Sequence, residues 1–278
     1  MKFVCAWFLI VSSLTASAQR LHLKERSAKA VTGLAFAKSI SDSLLSLNVR
    51  ENLILKEVRA GNIPDFYRNL VLVTDKTIIR GRQHDISYYV LPDFLAIGSN
   101  DDYFYCPMRP ALAQRVADHL GCSLPTRKMS DRIYEQANLK MIPEPIPPTK
   151  AMVTVPLFIK HSLLVTEQRN RSLPEHPLGS LVAGNKKDIV ISNKIVTPDG
   201  KSHVVIYGWH KTGGKPIQPL YNGHDGDWAD YSHGVRLIQD KIWIDGKRTS
   251  IREVLRSTDL HVLLSDEGVI TNAYYPKR

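Results

Sequence analysis

Hydrophobic residues in the first half of the chain follow two different periods, and each period predicts one kind of element. Apolar positions that recur about every 3.6 residues predict amphipathic helices over 28–47, 50–59, 111–119 and 127–137. Gly61 is expected to end the second helix, Pro110 to open the third, and Thr126 to cap the fourth. Runs of β-branched and aromatic residues predict a small antiparallel sheet with strands at 70–73, 77–79 and 86–91.

The second half of the chain changes to a mostly β pattern. Strands are predicted at 153–159, 163–166, 188–195, 203–207, 235–238 and 241–244. Asp245-Gly246 after the last of them is typical of a tight hairpin turn, and 251–256 predicts a short helix. The predicted fold class is therefore α+β, with a helical N-terminal segment and small antiparallel sheet followed by a β-rich C-terminal half.

A proline-rich segment separates these two halves. Four prolines fall within 141–148, which predicts a stiff, extended conformation. We take 142–150 as a connection between an N-terminal α+β region, 19–141, and a C-terminal region, 151–278. The pattern leaves open whether these regions are two units or one integrated domain.

The first eighteen residues have the composition of an export signal. Lys2 precedes the apolar run 3–11, and the small residues 16–18 fit a signal peptidase site, so cleavage is expected before Gln19. The apolar run is shorter than the roughly 20 residues that cross a bilayer. The sequence therefore predicts a secreted or periplasmic protein without stable membrane insertion.

The charge and the cysteines narrow the classes of partner. The formal net charge is +10, but the basic residues are scattered, which favours an anionic extracellular polymer or glycan over nucleic acid.

Only Cys106 and Cys122 follow the predicted signal. They either form one disulfide or remain free thiols, and they are too few for a disulfide scaffold or a four-thiolate zinc site.

Segment 207–236 has the most unusual composition in the chain. It combines Trp209 and Trp228 with three histidines and three aspartates, and glycine and proline interrupt it repeatedly, which predicts loops over most of its length. Functional groups often lie on loops held by a rigid sheet, so this segment is the predicted site. The structural alternative is that the tryptophans cover an edge of the core and the histidines bond to the backbone.

Two catalytic interpretations use this segment. In the first, His210, His224 and His233 bind zinc together with one of three aspartates, and the metal activates a water molecule. In the second, which needs no metal, His210 or His233 acts as general base, Asp230 orients it and Arg236 binds substrate charge. The candidate nucleophiles besides water are Ser232 and Cys122.

A third interpretation is non-catalytic binding of a glycan. Aromatic side chains would stack on sugar faces beside polar groups, and the candidates for binding substrate or glycan are Trp209, Tyr221, Trp228, Tyr231 and Lys187. His161 and Asp188 lie in or beside predicted strands, and together with Lys186 and Lys187 they could approach this site. Solvated turns are the favoured expectation for these residues.

Two resemblances to known families accompany these patterns. Ile206-Tyr207-Gly208 and Ser232-His233-Gly234-Val235-Arg236 resemble the L,D-transpeptidase motif, in which I-H-G is followed by S-H-G-C-x-R. Tyr207 stands where that family has a histidine, and its nucleophilic cysteine has no counterpart here, so the likeness implies a related sheet and not the reaction.

Five further segments resemble a family of secreted bacterial proteins and are spread over most of the chain: 90–102, 124–129, 184–188, 206–210 and 230–234. That resemblance implies one integrated fold and brings no catalytic residue with it. The function expected from the sequence is hydrolysis of an amide or glycosidic bond in a cell-envelope or extracellular polymer such as peptidoglycan. The alternative is a glycan- or wall-binding protein.

Overall fold

The computed structural model describes residues 19–276, so the predicted export signal lies outside the described residues. The helices are α1 (Gly33–Ser39), α2 (Leu47–Arg59), α3 (Pro110–His119), α4 (Arg127–Gln136), α5 (Val155–Arg171) and α6 (Ile251–Arg256). Three short 3-10 helices lie at Asp65–Arg68, Lys150–Val153 and His261–Leu263. No helix within 19–276 is both long enough and apolar enough to span a bilayer.

Fourteen strands are distributed among four sheets in this part of the chain. They are β1 (Val71–Ile79), β2 (Arg82–Val90), β3 (Ala96–Gly98), β4 (Tyr103–Tyr105), β5 (Cys122–Ser123), β6 (Leu139–Lys140), β7 (Val182–Ala183), β8 (Lys187–Ile189), β9 (His203–His210), β10 (Pro216–Asp225), β11 (His233–Gly234), β12 (Ile238–Gln239), β13 (Lys241–Ile244) and β14 (Lys247–Ser250). Helices and antiparallel strands in one chain confirm the predicted α+β class.

The largest sheet joins the two halves of the chain. Its strand order is β14-β13-β2-β12-β5, and β1 also pairs with β2. Val90 on β2 pairs with Ile238 on β12, and Ser87 pairs with Trp243 on β13. Strands before and after the proline-rich connection therefore share one sheet.

The second sheet carries most of the predicted site. Its order is β10-β9-β8-β11, with β9 and β10 forming an antiparallel hairpin. The short strand β11 runs parallel to β8, so that His233 lies beside Lys187. Two small sheets remain: β3 and β4 pair antiparallel, and β6 and β7 pair parallel.

Two of the predicted elements are wrong. Segments 153–159 and 163–166 form one helix, α5, instead of two strands. Their β-branched and aromatic content suggested strands, but Val155, Phe158, Ser162, Val165 and Arg169 are buried at spacings of three and four residues, which is the helical period. Pro156 fits because it falls in the first turn, where no helical N–H is lost.

The predicted helix 28–47 is much shorter than expected. Only Gly33–Ser39 is helical, and the periodic apolar residues that follow do not share a buried face, since Leu44 is 90 % exposed. A new helix then begins at Leu47, where the Ser46 side chain accepts a hydrogen bond from the Val49 N–H.

Cys106 and Cys122 are both buried free thiols in this structure.

Candidate functional site

The segment 207–236 is largely a β-hairpin, so the expectation of loops over most of it is wrong. Strand β9 extends to His210, and β10 occupies Pro216–Asp225. His210 pairs with Pro216 at one end of the hairpin, whereas His224 pairs with Val204 at the other. Six residues of strand separate these pairs, which is roughly 20 Å at about 3.3 Å per residue.

The expected three-histidine zinc site is consequently not assembled. His210 is too far from His224 for both imidazoles to reach one ion, because zinc lies about 2 Å from each ligand nitrogen. Within residues 19–276 no group of three or more His, Cys, Asp or Glu side chains is arranged to hold a metal. The predicted site residues divide instead into two groups, one enclosed and one facing a surface hollow.

The enclosed group contains Asp230, His233, Lys187 and Trp209, which we call the inner cluster. The Nε2 atom of His233 lies 3.6 Å from Oδ2 of Asp230, so the structure brings these two predicted residues together. Both are almost inaccessible, with side-chain exposures of 0 % for His233 and 2 % for Asp230. Lys187 Nζ lies 5.0 Å from the centre of the Trp209 ring, a cation–π arrangement.

Burial sets the protonation of His233, whereas charge and hydrogen bonds set that of Asp230. Burial lowers the pKa of His233 to about 4, although the nearby Asp230 carboxylate opposes the shift. Burial would raise the pKa of Asp230, but His233 and hydrogen bonds from Ser232 outweigh it and hold that pKa below its usual range. Neither ring nitrogen of His233 has a hydrogen-bond partner among the described residues. His233 is therefore a neutral, enclosed imidazole at neutral pH.

The aromatic residues around the inner cluster make hydrogen bonds and ring contacts within the protein. The Tyr231 hydroxyl accepts from the N–H of Ile146 and donates to its carbonyl, each at 2.9 Å, which fixes the proline-rich segment. Trp228 donates its indole N–H to Asp230 at 3.2 Å and stacks on His224 at 4.4 Å. Trp209 and Tyr231 are buried, so of the predicted stacking residues only Trp228 and Tyr221 present surface to solvent.

Beneath the inner cluster lies a buried pair that the sequence analysis assigned to solvated turns. Lys186 Nζ lies 2.8 Å from His161 Nδ1 and donates to the Tyr231 carbonyl at 2.7 Å. Burial lowers the pKa of Lys186 to about 7 and that of His161 to about 2. The expectation of solvated turns is wrong for both residues, since each is at most 1 % exposed.

Arg236, expected to bind substrate charge, is a buried structural residue. Its guanidinium donates to the carbonyls of Leu91 at 3.0 Å and Val182 at 2.6 Å, and it stacks 4.1 Å from the Phe94 ring centre. It also opposes the rise that burial produces in the pKa of Asp93. Arg236 is only 1 % exposed, and its guanidinium is hydrogen-bonded to backbone carbonyls. It is therefore not accessible to a substrate.

The turn end of the β9–β10 hairpin lies beside a hollow of about 560 Å³, which we call the Asp131 hollow. It is lined by Asp131, Tyr134, Glu135, Lys140, Tyr207, His210 and 212–214. His210 Nε2 lies 3.1 Å from Oδ1 of Asp131, and the Tyr207 hydroxyl donates to the same oxygen at 2.7 Å. The Asp131 side chain is 38 % exposed and that of His210 is 4 % exposed, so the carboxylate is the accessible group.

The backbone explains how Tyr207 and His210 reach one oxygen. In a regular strand, residues three apart point to opposite faces. Gly208 has φ 101° and Trp209 has φ 57°, and these two positive values interrupt the alternation at the end of β9. Asp131 approaches from α4, whose N-terminus is capped by Thr126 through a hydrogen bond from the Met129 N–H. Helix and strand together build the wall of the hollow.

A second carboxyl group lies behind His210. Asp188 on β8 is buried, and burial raises its pKa to about 6 against the attraction of Arg236 and His210. The expectation that Asp188 lies in a solvated turn is therefore wrong. Tyr134 stacks on the other side of His210, with ring centres 4.3 Å apart. The imidazole is thus held between an aromatic ring and two carboxyl groups.

Sequence reasoning found His210 but missed Asp131, Tyr207 and Tyr134 as its neighbours. Asp131 and Tyr134 belong to a correctly predicted helix in which no functional residue was predicted. Asp131 lies 76 positions before Tyr207 and 79 before His210, so no local spacing connects them. The usable indication was that Asp131 and Glu135 are four residues apart and therefore on one face of that helix.

Comparison with known proteins found no matching family model, no matching curated protein and no matching solved structure. A function for this chain is therefore inferred from the side chains of the inner cluster and of the Asp131 hollow. The inner cluster is enclosed, whereas the Asp131 hollow is open to solvent.

Proposed function

We propose that the chain is an exported hydrolase that cleaves an amide or glycosidic bond in a cell-envelope or extracellular polymer, with Asp131 as the catalytic base. One observation carries the proposal: an exposed carboxylate accepts hydrogen bonds on one oxygen from two buried side chains, Tyr207 and His210. Such bonds fix the orientation of a carboxylate and leave its second oxygen to act on a ligand.

The proposed reaction uses water as the nucleophile. Asp131 accepts a proton from a water molecule as its oxygen forms a bond to the carbonyl or anomeric carbon of the substrate. For an amide, the bond from the carbonyl carbon to the leaving nitrogen then breaks, and Asp131 returns the proton to that nitrogen. For a glycosidic bond, water attacks the face opposite the leaving oxygen, so a second carboxyl group must protonate that oxygen. Glu135 in the same hollow is the candidate acid, and proton exchange with solvent restores both carboxyl groups. Tyr207 and His210 are positioning residues in this scheme, because they act through Asp131.

The openness of the hollow and the net charge of the chain support a large anionic substrate, although the lining itself contributes two carboxylates, Asp131 and Glu135, against Lys140. The hollow is open on the surface, as access for a polymer requires, and Lys140 on its rim lies 5.3 Å from the Tyr134 ring centre. The net charge of +10 attracts acidic wall polymers or glycans. These features extend the sequence-based hypothesis, with Asp131 replacing Asp230, His233 and Arg236 as the site of chemistry.

The test is incubation of the purified protein with peptidoglycan and a panel of acidic and neutral polysaccharides, followed by mass analysis of soluble products. The proposal predicts new amine or reducing ends with the parent protein and none with Asp131→Asn. The control is Asp259→Asn, which removes an exposed carboxylate that pairs with Arg80 at the surface. Absence of products from every polymer would contradict hydrolysis.

A second candidate, glycan binding without catalysis, is supported by an exposed tyrosine beside other aromatic side chains. Tyr221 is 41 % exposed, its ring meets that of His224 edge-on at 75°, and His224 stacks on Trp228. The exposed Tyr221 ring can stack on the apolar face of a sugar. Retention of a polysaccharide without products, lost in Tyr221→Ala, would favour this candidate over hydrolysis.

A further inference from the structure

A groove between α2 and the start of α3 is separate from the Asp131 hollow and adjoins the inner cluster through Trp228. It consists of a polar hollow of about 430 Å³ and an adjoining apolar pocket of about 160 Å³, and Glu51, Arg109 and Asp227 line both. We call the two together the arginine groove. It shares no lining residue with the Asp131 hollow.

The apolar pocket has the size and lining for one ring or branched side chain. Its walls are mainly apolar and include Leu47, Ile54, Met108, Phe158 and Trp228. A cavity of about 150 Å³ with such a lining is large enough to take up benzene. The pocket therefore fits a single apolar group, and not an extended chain.

The charges along the groove are not balanced. Arg109 pairs with Glu51 at 2.8 Å and with Asp227 at 3.0 Å, which places these three charges in one network. Arg50 lines the apolar pocket and Arg115 lines the polar hollow. Within residues 19–276 no hydrogen bond or ion pair joins either of these two guanidinium groups to another residue, and the Nε atom of Arg50 is buried without a partner.

Three guanidinium groups therefore face two carboxylates, an excess of one positive charge. Guanidinium groups bind carboxylates through paired hydrogen bonds, and these bonds are strong where water is partly excluded. A single negative charge completes the balance, whereas a doubly charged phosphate would face repulsion from Glu51 and Asp227. The chemistry selects a monoanionic carboxylate.

We propose that the arginine groove binds a hydrophobic amino-acid unit with a free carboxylate. The apolar side chain enters the pocket beside Trp228, and the carboxylate lies in the polar hollow against Arg115. The same chemistry is offered by a free acylated amino acid and by the C-terminal residue of a peptide. This site does not depend on hydrolysis at Asp131.

The experiment is calorimetric titration of the purified protein with N-acetyl-L-phenylalanine, with its uncharged amide, and with a tripeptide that ends in phenylalanine. We expect saturable binding of the acid and at least tenfold weaker binding of the amide, equivalent to about 1.4 kcal/mol. Tighter binding of the tripeptide than of the acid would identify a peptide end as the source, and equal binding would identify a single residue.

Two variants locate the binding. Arg115→Gln should weaken binding of the acid about tenfold and leave that of the amide unchanged, while Arg248→Gln, which removes an exposed arginine on β14, should change neither. Ala229→Leu fills the pocket and should abolish binding of both probes without loss of Arg115. Equal affinity for acid and amide, equal affinity of the two arginine variants, or no binding by the parent protein would overturn the proposal.

Discussion

Asp131 and His210 are 79 positions apart in the chain, yet His210 Nε2 lies 3.1 Å from Asp131 Oδ1. The contact joins α4 to the end of β9, and the Tyr207 hydroxyl completes it by donating to the same oxygen at 2.7 Å. It is the point at which a residue of the predicted site meets a solvent-accessible carboxylate.

Tyr207→Phe should lower kcat about tenfold and leave KM nearly unchanged. The change removes one hydrogen bond that orients Asp131 and removes no contact of the substrate with a charged group. Steady-state kinetics on the polymer identified as substrate measure both constants. Tyr134→Phe is the matched control, because it removes a tyrosine hydroxyl from the same hollow that donates to the Lys211 carbonyl and not to Asp131. An equal effect of both variants would argue against a positioning role for Tyr207.

Arg236→Gln should destabilise the fold by about 3–5 kcal/mol and leave the activity of the folded fraction unchanged. The guanidinium satisfies two buried carbonyls and faces the buried Asp93, so its loss leaves polar groups without partners. Urea denaturation gives the free energy of unfolding, and activity per folded molecule gives the second quantity. A fully stable variant without activity would restore Arg236 as a substrate-binding residue.

His233→Leu should reduce the loss of stability in acid. Burial holds the pKa of His233 at about 4 in the folded protein, below its ordinary value of 6.5, so between these values the unfolded chain binds more protons. Above pH 6.5 His233 is neutral in both states, so it does not reduce the free energy of unfolding. As the pH falls from 6.5 to about 4, the unfolded chain takes up the proton first, and the free energy of unfolding decreases by about 3 kcal/mol in all. The free energy of unfolding measured from pH 7 to pH 4 should therefore fall less steeply in the variant. Parallel curves would contradict the assigned burial.

Cys106 and Cys122 should not react with a thiol reagent in the folded protein and should both react after unfolding. Each is buried and free, and burial raises the pKa of Cys122 to about 12, so the thiolate is almost absent at neutral pH. Thiol titration with and without denaturant measures this directly. Two unreactive sulfurs in denaturant would indicate a disulfide, and rapid reaction of the folded protein would restore Cys122 as a candidate nucleophile.

Local sequence patterns were sufficient for several elements. The turn at Asp245-Gly246 forms as predicted, with φ of 51° and 74°, because these residue types tolerate the left-handed region. Helices α3 and α4 begin where Pro110 and Thr126 predicted. In each case the decisive interaction lies within a few residues of chain, which is the distance over which a sequence pattern carries information.

The same reasoning failed where long-range packing decides the structure. The strand-forming residues of α5 are helical because their buried positions follow a period of 3.6 over seventeen residues, longer than the windows that suggested strands. Asp131 was missed because its partners come from β9, far along the chain. His210 was identified from composition, but which histidines share a site depends on the register of the β9–β10 hairpin.

The most direct test of the central claim compares Asp131→Asn with Asp259→Asn in a single assay of polymer hydrolysis. The substitution at Asp131 keeps the shape of the side chain and removes the base, so a fall in kcat of about 10²–10⁴-fold is expected, with thermal unfolding close to that of the parent. Asp259→Asn should retain full activity. An Asp131→Asn protein that folds and cleaves the polymer at the parental rate would contradict the assignment of Asp131 as the catalytic base.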